Sequence, residues 1–331
     1  MRKRYFAVPA LIASATLTLV GCATPASTGS GAAIKIVTTT TQVADLTRAV
    51  VGDAPDVSLT QLIQPNESAH SYDPSVADLT ALASADVLVI NGVGLEEWLD
   101  DAIDASGFTG VTIDASSDVT VLGSARGTDQ AGESAGHTDG DPHIWTDVRN
   151  AETIVKTVEA GLAGAEGASA SNVALFAANA AAYSATLASL DGWIRDNIDA
   201  VPAAERLLVS NHDAIGYYTT AYGITYVGAV IPSFDDNAEP SAAAIDTLVT
   251  DIRATGVQAV FSEASLSPKT ADTIAKEANV KVYSGDDALY VDSLGPPGSA
   301  GDTYLKAQIH NTTLILESWG ATPAALPADL R

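Results

Sequence analysis

Five histidines, His70, His137, His143, His212 and His310, are the side chains best suited to site chemistry in this sequence. A neutral imidazole ligates transition metals, and the same ring carries a proton near neutral pH. His70 lies in Pro65-Asn66-Glu67-Ser68-Ala69-His70-Ser71-Tyr72-Asp73-Pro74, behind a strand-like run ending at residue 63. His143 lies in Asp141-Pro142-His143-Ile144-Trp145-Thr146-Asp147. It follows a Gly-, Ser- and Asp-rich stretch at 123–140, which contains His137 and reads as a mobile loop. His212 comes directly after the strand-like run 207–210, in Ser210-Asn211-His212-Asp213-Ala214. His70, His143 and His212 thus sit where α/β sheets place their ligands, past the carboxyl ends of parallel strands. Singly, each is more often a solvated loop residue; their shared placement is the signal. The carboxylates permit no such selection, because Asp and Glu together number 41.

The elements that must position these residues alternate in kind. Runs at 34–39, 57–63 and 87–91 read as strands, and 42–51, 75–83 and 95–105 as helices. The pattern restarts with strands at 207–210, 225–231, 257–262 and 280–283 and helices at 214–222, 242–254, 268–278 and 303–319. Such alternation predicts an α/β fold of two lobes, each with a parallel sheet covered by helices. Between them, 171–199 is Ala-rich with no proline and a single glycine, Gly192. Val173, Phe176, Ala180, Tyr183, Leu187, Leu190 and Ile194 recur there at three- and four-residue steps, the period of an amphipathic helix. That helix, roughly 40 Å long at the usual rise, is expected to join the lobes and to end at Pro202. The expected division is an N-terminal lobe at 34–170, a linking helix at 171–200 and a C-terminal lobe at 201–331.

The first residues bear on compartment. Arg2, Lys3 and Arg4 precede an apolar run at 5–20, too short to span a bilayer comfortably, as in a secretory signal peptide. The run closes on Leu19-Val20-Gly21-Cys22, which resembles a bacterial lipobox, and Cys22 is the only cysteine in the chain. A signal peptide at 1–21 and a flexible tether at 22–33 follow. Lipid on Cys22 would hold the protein to the cell membrane at its extracytoplasmic face. A formal charge of -25 excludes a nucleic-acid binder, which needs a basic face. With 47% apolar residues, the chain can build a substantial core.

Four motifs add a family resemblance. His70-Ser71-Tyr72-Asp73-Pro74 with Asp78-Leu79, Ala85-Asp86 and Asn91-Gly92-Val93-Gly94-Leu95-Glu96-Glu97-Trp98-Leu99 resembles the first-lobe signature of zinc- and manganese-binding ABC solute-binding lipoproteins. The Asp141–Asp147 motif resembles that family's second. Ser210-Asn211-His212-Asp213-Ala214-Ile215-Gly216-Tyr217-Tyr218 with Tyr222-Gly223 resembles the third. Asp292-Ser293-Leu294 followed by Gly301-Asp302-Thr303-Tyr304-Leu305 resembles the fourth. The motifs stand in the family's order and span the chain from about residue 34 to its end.

The resemblance implies two α/β lobes joined by a long backbone helix, with one metal ion in the cleft. It implies His70 and His143 as ligands from the first lobe and His212 and Asp292 from the second. Three imidazoles and a carboxylate form a borderline-soft set that suits tetrahedral Zn2+, whereas Mn2+ favours more oxygen ligands. Zn2+ is therefore the expected cargo, with Mn2+ as the alternative. Several manganese-binding relatives carry glutamate where this chain has His212, which leans the same way. Glu263, at the end of a second-lobe strand, is a candidate to hydrogen-bond a ligand imidazole from behind. Many zinc-specific relatives carry a histidine-rich loop where this chain has His137 alone, so that stretch is expected to be a linker, with a weak acidic metal collector as the alternative. His310, inside the last helix, is expected to be a structural or surface histidine. The implied partners are an ABC permease and its ATPase, since the sequence has no P-loop of its own, and the protein is expected to act as a monomer. The rival from another class is a zinc hydrolase with Asp292 as its base. No His-Glu-x-x-His helix or Gly-x-Ser-x-Gly elbow supports it, and no module for surface adhesion is present.

Overall fold

Alternating β-branched runs and amphipathic segments fold into a first sheet whose strands all point the same way. The computed structural model describes Met1 and residues 34–123 and 140–331. The rest of the expected signal segment, Cys22, the tether to residue 33, and His137 within 124–139 lie outside the described residues. Strands β1 (Ile34–Thr38), β2 (Val57–Gln61), β3 (Val87–Ile90) and β4 (Val111–Asp114) form a parallel sheet in the order β2-β1-β3-β4. Helices α1 (Thr41–Val51), α2 (Val76–Ala83), α3 (Leu99–Ser106) and α4 (Val148–Ala163) complete this lobe. Helix α1 starts where Thr40 accepts the Val43 N–H (3.1 Å), and α2 starts at a reciprocal Ser75–Asp78 capping box.

The second lobe also carries parallel strands. They form two pairs, β5 (Leu207–His212) with β6 (Thr225–Ile231) and β7 (Ala259–Phe261) with β8 (Lys281–Tyr283), with β7 lying beside β5. Helices α6 (Gly216–Tyr222), α7 (Ala242–Thr255), α8 (Lys269–Ala278) and α9 (Tyr304–Ser318) accompany them. The linking helix α5 runs from Ala170 to Asp199 and packs on α1 and α4 as well as on α6 and α9. Phe176, Ala180, Leu187, Leu190 and Ile194 of the expected stripe are buried, while mainly alanines face outward. The two-lobed α/β fold joined by a long helix is thus present.

Several expectations need correction. The helix expected from residue 95 begins only at Leu99. Gly92, Val93 and Gly94 all have positive φ and form a turn instead. At Gly92 (φ +85°) a Cβ would lie 2.2 Å from Asp114 Oδ1, so only glycine fits. Strand β5 continues past Ser210, and His212, paired with Ile231, is its last residue instead of lying beyond its end. Strand β7 is shorter than expected, and Glu263 lies beyond it in a single bridge to Leu289. Strand β4 and helix α4 were not anticipated.

Candidate metal centre

One strand end and three connecting segments deliver the four expected side chains. His70 sits on the segment between β2 and α2, where its N–H donates to Ser68 Oγ (3.2 Å). Trp98 Nε1–H donates to the carbonyl oxygen of neighbouring Ala69 (2.9 Å). His143 lies just before a single 3-10 turn at Ile144–Thr146. Asn91 Nδ2 donates to Pro142 O (2.9 Å) and so ties the Gly92 turn to the His143 segment. His212 closes β5, and Asp292 comes from the segment after β8. All four side chains are buried.

The four converge between the lobes. His70 Nε2 is 3.3 Å from His143 Nε2 and 3.4 Å from Asp292 Oδ2. His143 Nε2 is 3.5 Å from Asp292 Oδ1, and His212 Nε2 is 2.9 Å from Asp292 Oδ2. One ligand atom from each residue lies within 4.8 Å of all the others. Ligands about 2.0–2.1 Å from a tetrahedral ion stand roughly 3.3–3.4 Å from one another, close to three of these four separations. The short His212–Asp292 approach lacks the angles of a hydrogen bond, and neither His212 Nε2 nor either Asp292 oxygen has a hydrogen-bond partner. Those atoms face a common centre.

The outward nitrogens of two rings are held by carboxylates. His143 Nδ1 is 2.7 Å from Asp141 Oδ1, which also accepts the His143 backbone N–H (3.0 Å). His212 Nδ1 is 2.5 Å from Glu263 Oε1. An ionised carboxylate only accepts, so each Nδ1 carries a proton and Nε2 is the ring nitrogen turned toward the centre. Phe234 stands 6.0 Å from the His143 ring on the β6–α7 connection and gives the centre an apolar neighbour. From the same connection, Asp236 accepts a hydrogen bond from Ser68 Oγ (2.9 Å), joining the second lobe to the His70 segment.

The electrostatics are those of imidazoles and carboxylates buried against one another. Burial pushes the His212 pKa down, but the charges of Asp292 and Glu263 outweigh it and hold the ring well above its ordinary 6.5. Burial also pushes Asp292 up, and the His212 and His143 charges reverse this, leaving it well below the usual carboxylate range. Glu263 is raised, chiefly by burial, against the pull of His212. His70 lies above its ordinary value because its contact with Asp292 overcomes burial.

Of the residues singled out from sequence, the structure brings His70, His143, His212 and Asp292 together and places Glu263 directly behind His212. His310 stands apart, its Nε2 2.9 Å from Ala288 O and its ring against Tyr290. Sequence reasoning passed over Asp141 as a partner of His143. An acidic residue two places before a histidine, across a proline, was the available signal. It also passed over Asn91, which no spacing rule marks.

The chain is similar to known metal-binding proteins. The family model described as the periplasmic zinc-uptake complex component A matches residues 36–318. A manganese-binding lipoprotein of Halalkalibacterium halodurans is 27% identical over 312 residues, covering 94% of this chain and 97% of the relative. A metal ABC transporter substrate-binding lipoprotein of Streptococcus parasanguinis is 27% identical over 320 residues, covering 95% of this chain and 98% of the relative. Among solved structures, the periplasmic zinc-binding protein of Treponema pallidum superposes with a TM-score of 0.74 at 26% identity, covering 86% of this chain and 98% of that one.

Proposed function

The chain belongs to the family of the periplasmic zinc-uptake complex component A, the metal-binding substrate-binding proteins of ABC transporters, and from that premise we propose that it captures Zn2+ with His70, His143, His212 and Asp292 and delivers it to an ABC importer. The observation that carries the ligand assignment is the inward convergence of three Nε2 atoms and one carboxylate, with two of the rings fixed from behind by Asp141 and Glu263. In this reading Glu263 and Asp141 set tautomer and ring orientation, as carboxylates behind metal-bound histidines do.

Zinc is favoured over manganese by the donor set. Three imidazoles and one carboxylate suit a four-coordinate ion, and the Irving–Williams order ranks Zn2+ above Mn2+ at any such site. Manganese remains the second reading because the Halalkalibacterium halodurans relative is named for it. The hydrolase reading falls away, since the relatives are transporter substrate-binding proteins. In the same proposal Cys22 carries the lipid anchor, residues 34–170 and 201–331 are the lobes on either side of the linking helix, and the monomer presents its cargo to the permease and ATPase from the extracytoplasmic face.

A metal count and a competition test this. Purified protein offered equal zinc and manganese should retain one zinc per chain with four nitrogen or oxygen neighbours by X-ray absorption. Retention of six-coordinate manganese would establish the alternative, and unchanged zinc affinity in His143→Ala would refute the ligand assignment.

A further inference from the structure

Asp292 follows β8 in the chain, yet its segment is bonded to the first lobe. Leu289 still belongs to the second: its N–H donates to Ser262 O (2.9 Å), and Ala264 N–H donates to its carbonyl (2.9 Å). Two residues later the allegiance changes. The carbonyl of Val291 accepts from Gln42 Nε2 (2.8 Å) and from Trp145 Nε1 (2.9 Å). Leu294 N–H donates to Thr41 Oγ1 (2.9 Å), and Asn66 N–H donates to Ser293 Oγ (2.9 Å). Thr41 in turn donates to Gln42 Oε1 (2.9 Å), so the two side chains at the start of α1 form one continuous bracket around residues 291–294. Farther on, Tyr304 N–H donates to Asp45 Oδ2 (2.8 Å), one helical turn along α1. Asp292, Thr41 and Gln42 are all buried.

From this geometry we infer that Thr41 and Gln42 are positioning residues that hold Asp292 to the first lobe. The four candidate ligands then divide three to one. His70, His143 and Asp292 form a unit with the first lobe, and only His212, backed by Glu263, is contributed by the second. Loss of the bracket frees the Asp292 carboxylate to drift from the three imidazoles, while their own supports remain. The inference rests on the proposed ligand set, and the test separates the two.

The test is a double-mutant cycle on the full chain, with zinc affinity measured by chelator competition and the visible spectrum of bound cobalt(II) as a second readout. Gln42→Leu should weaken zinc about tenfold, the lower end for residues that orient metal ligands. It should also move the cobalt spectrum toward that of Asp292→Ala. In the Asp292→Ala background Gln42→Leu should change affinity less than twofold, because the residue it positions is gone. Equal loss in both backgrounds, or no loss in either, overturns the inference while leaving the ligand set intact. If Asp292→Ala itself leaves affinity and spectrum unchanged, the ligand set fails and the inference falls with it. Thr41→Val, which removes the acceptor of Leu294 N–H with little change of shape, provides the same cycle should Gln42→Leu fold poorly.

Discussion

Glu263 Oε1 stands 2.5 Å from His212 Nδ1, with both side chains essentially cut off from solvent. Nothing else holds that ring's outer nitrogen among the described contacts, so the orientation of Nε2 toward Asp292 depends on one carboxylate. Glu263→Gln keeps an acceptor but removes the charge. It should lower zinc affinity by roughly 10–100-fold without loss of the fold, measured by calorimetric titration near pH 7.5. Wild-type affinity in this variant would mean that Glu263 does not tune the site.

The buried charges set a pH dependence whose sign can be worked out. His212 has a folded pKa raised above about 6.5. Its contribution to metal-free stability is fully present below that value and is lost as pH rises through the folded pKa. Asp292 has a depressed pKa, so its contribution is present above about 3.9 and lost only as pH falls through the folded value. Metal must displace the His212 proton, so zinc gains on the metal-free state as pH rises. The rise in Tm on adding saturating zinc should therefore be larger at pH 8 than at pH 6. An equal or smaller rise at pH 8 would contradict this ordering.

Gly216 offers a test from outside the ligand set. A Cβ there would lie 2.7 Å from Asp141 Oδ2, and Asp141 is already fixed by two bonds to His143. Gly216→Ala should push Asp141 aside and weaken zinc binding about tenfold, although residue 216 touches no candidate ligand directly. Chelator competition on the variant would show it; unchanged affinity would mean that Asp141 yields without moving His143.

The linking helix should separate stability from binding. Leu190 is fully buried in α5, and Leu190→Ala removes core packing there. The expected cost is about 2–5 kcal/mol in urea unfolding, with one metal per chain still bound by the folded fraction. A loss of stoichiometry at low denaturant would show that α5 acts on the site itself.

How far these features could be read in advance depended on how local their signals are. His70, His143 and His212 stood out because histidine is scarce and strand ends are marked by their sequence. Asp292 did not, since 41 acidic residues compete for the role and its position is fixed by bonds to residues about 250 places away. The strand ending at Ser210 was cut short because Asn211-His212 is poor strand sequence; pairing with β6 and the Glu263 carboxylate, which accepts the His212 N–H (3.3 Å), carry it on. Helix α4 carries its own signal, with Val148, Ala151, Val155, Val158 and Leu162 at helical spacing and all buried. Strand β4 carries a weaker one: Val111-Thr112-Ile113 is β-branched, but only Ile113 is buried and the run is short.

The continuity of α5 has a mechanical consequence. Thirty residues of helix form a beam of roughly 45 Å, with no loop inside it to absorb torsion. Rocking such a beam by about 5° around its middle displaces each end by roughly 2 Å, comparable to the length of a zinc–nitrogen bond. Grip and release of an ion between the lobes therefore need no wide swing. In the proposed function, a tilt of a few degrees between the lobes would be enough to stretch the coordination sphere beyond its bonding range.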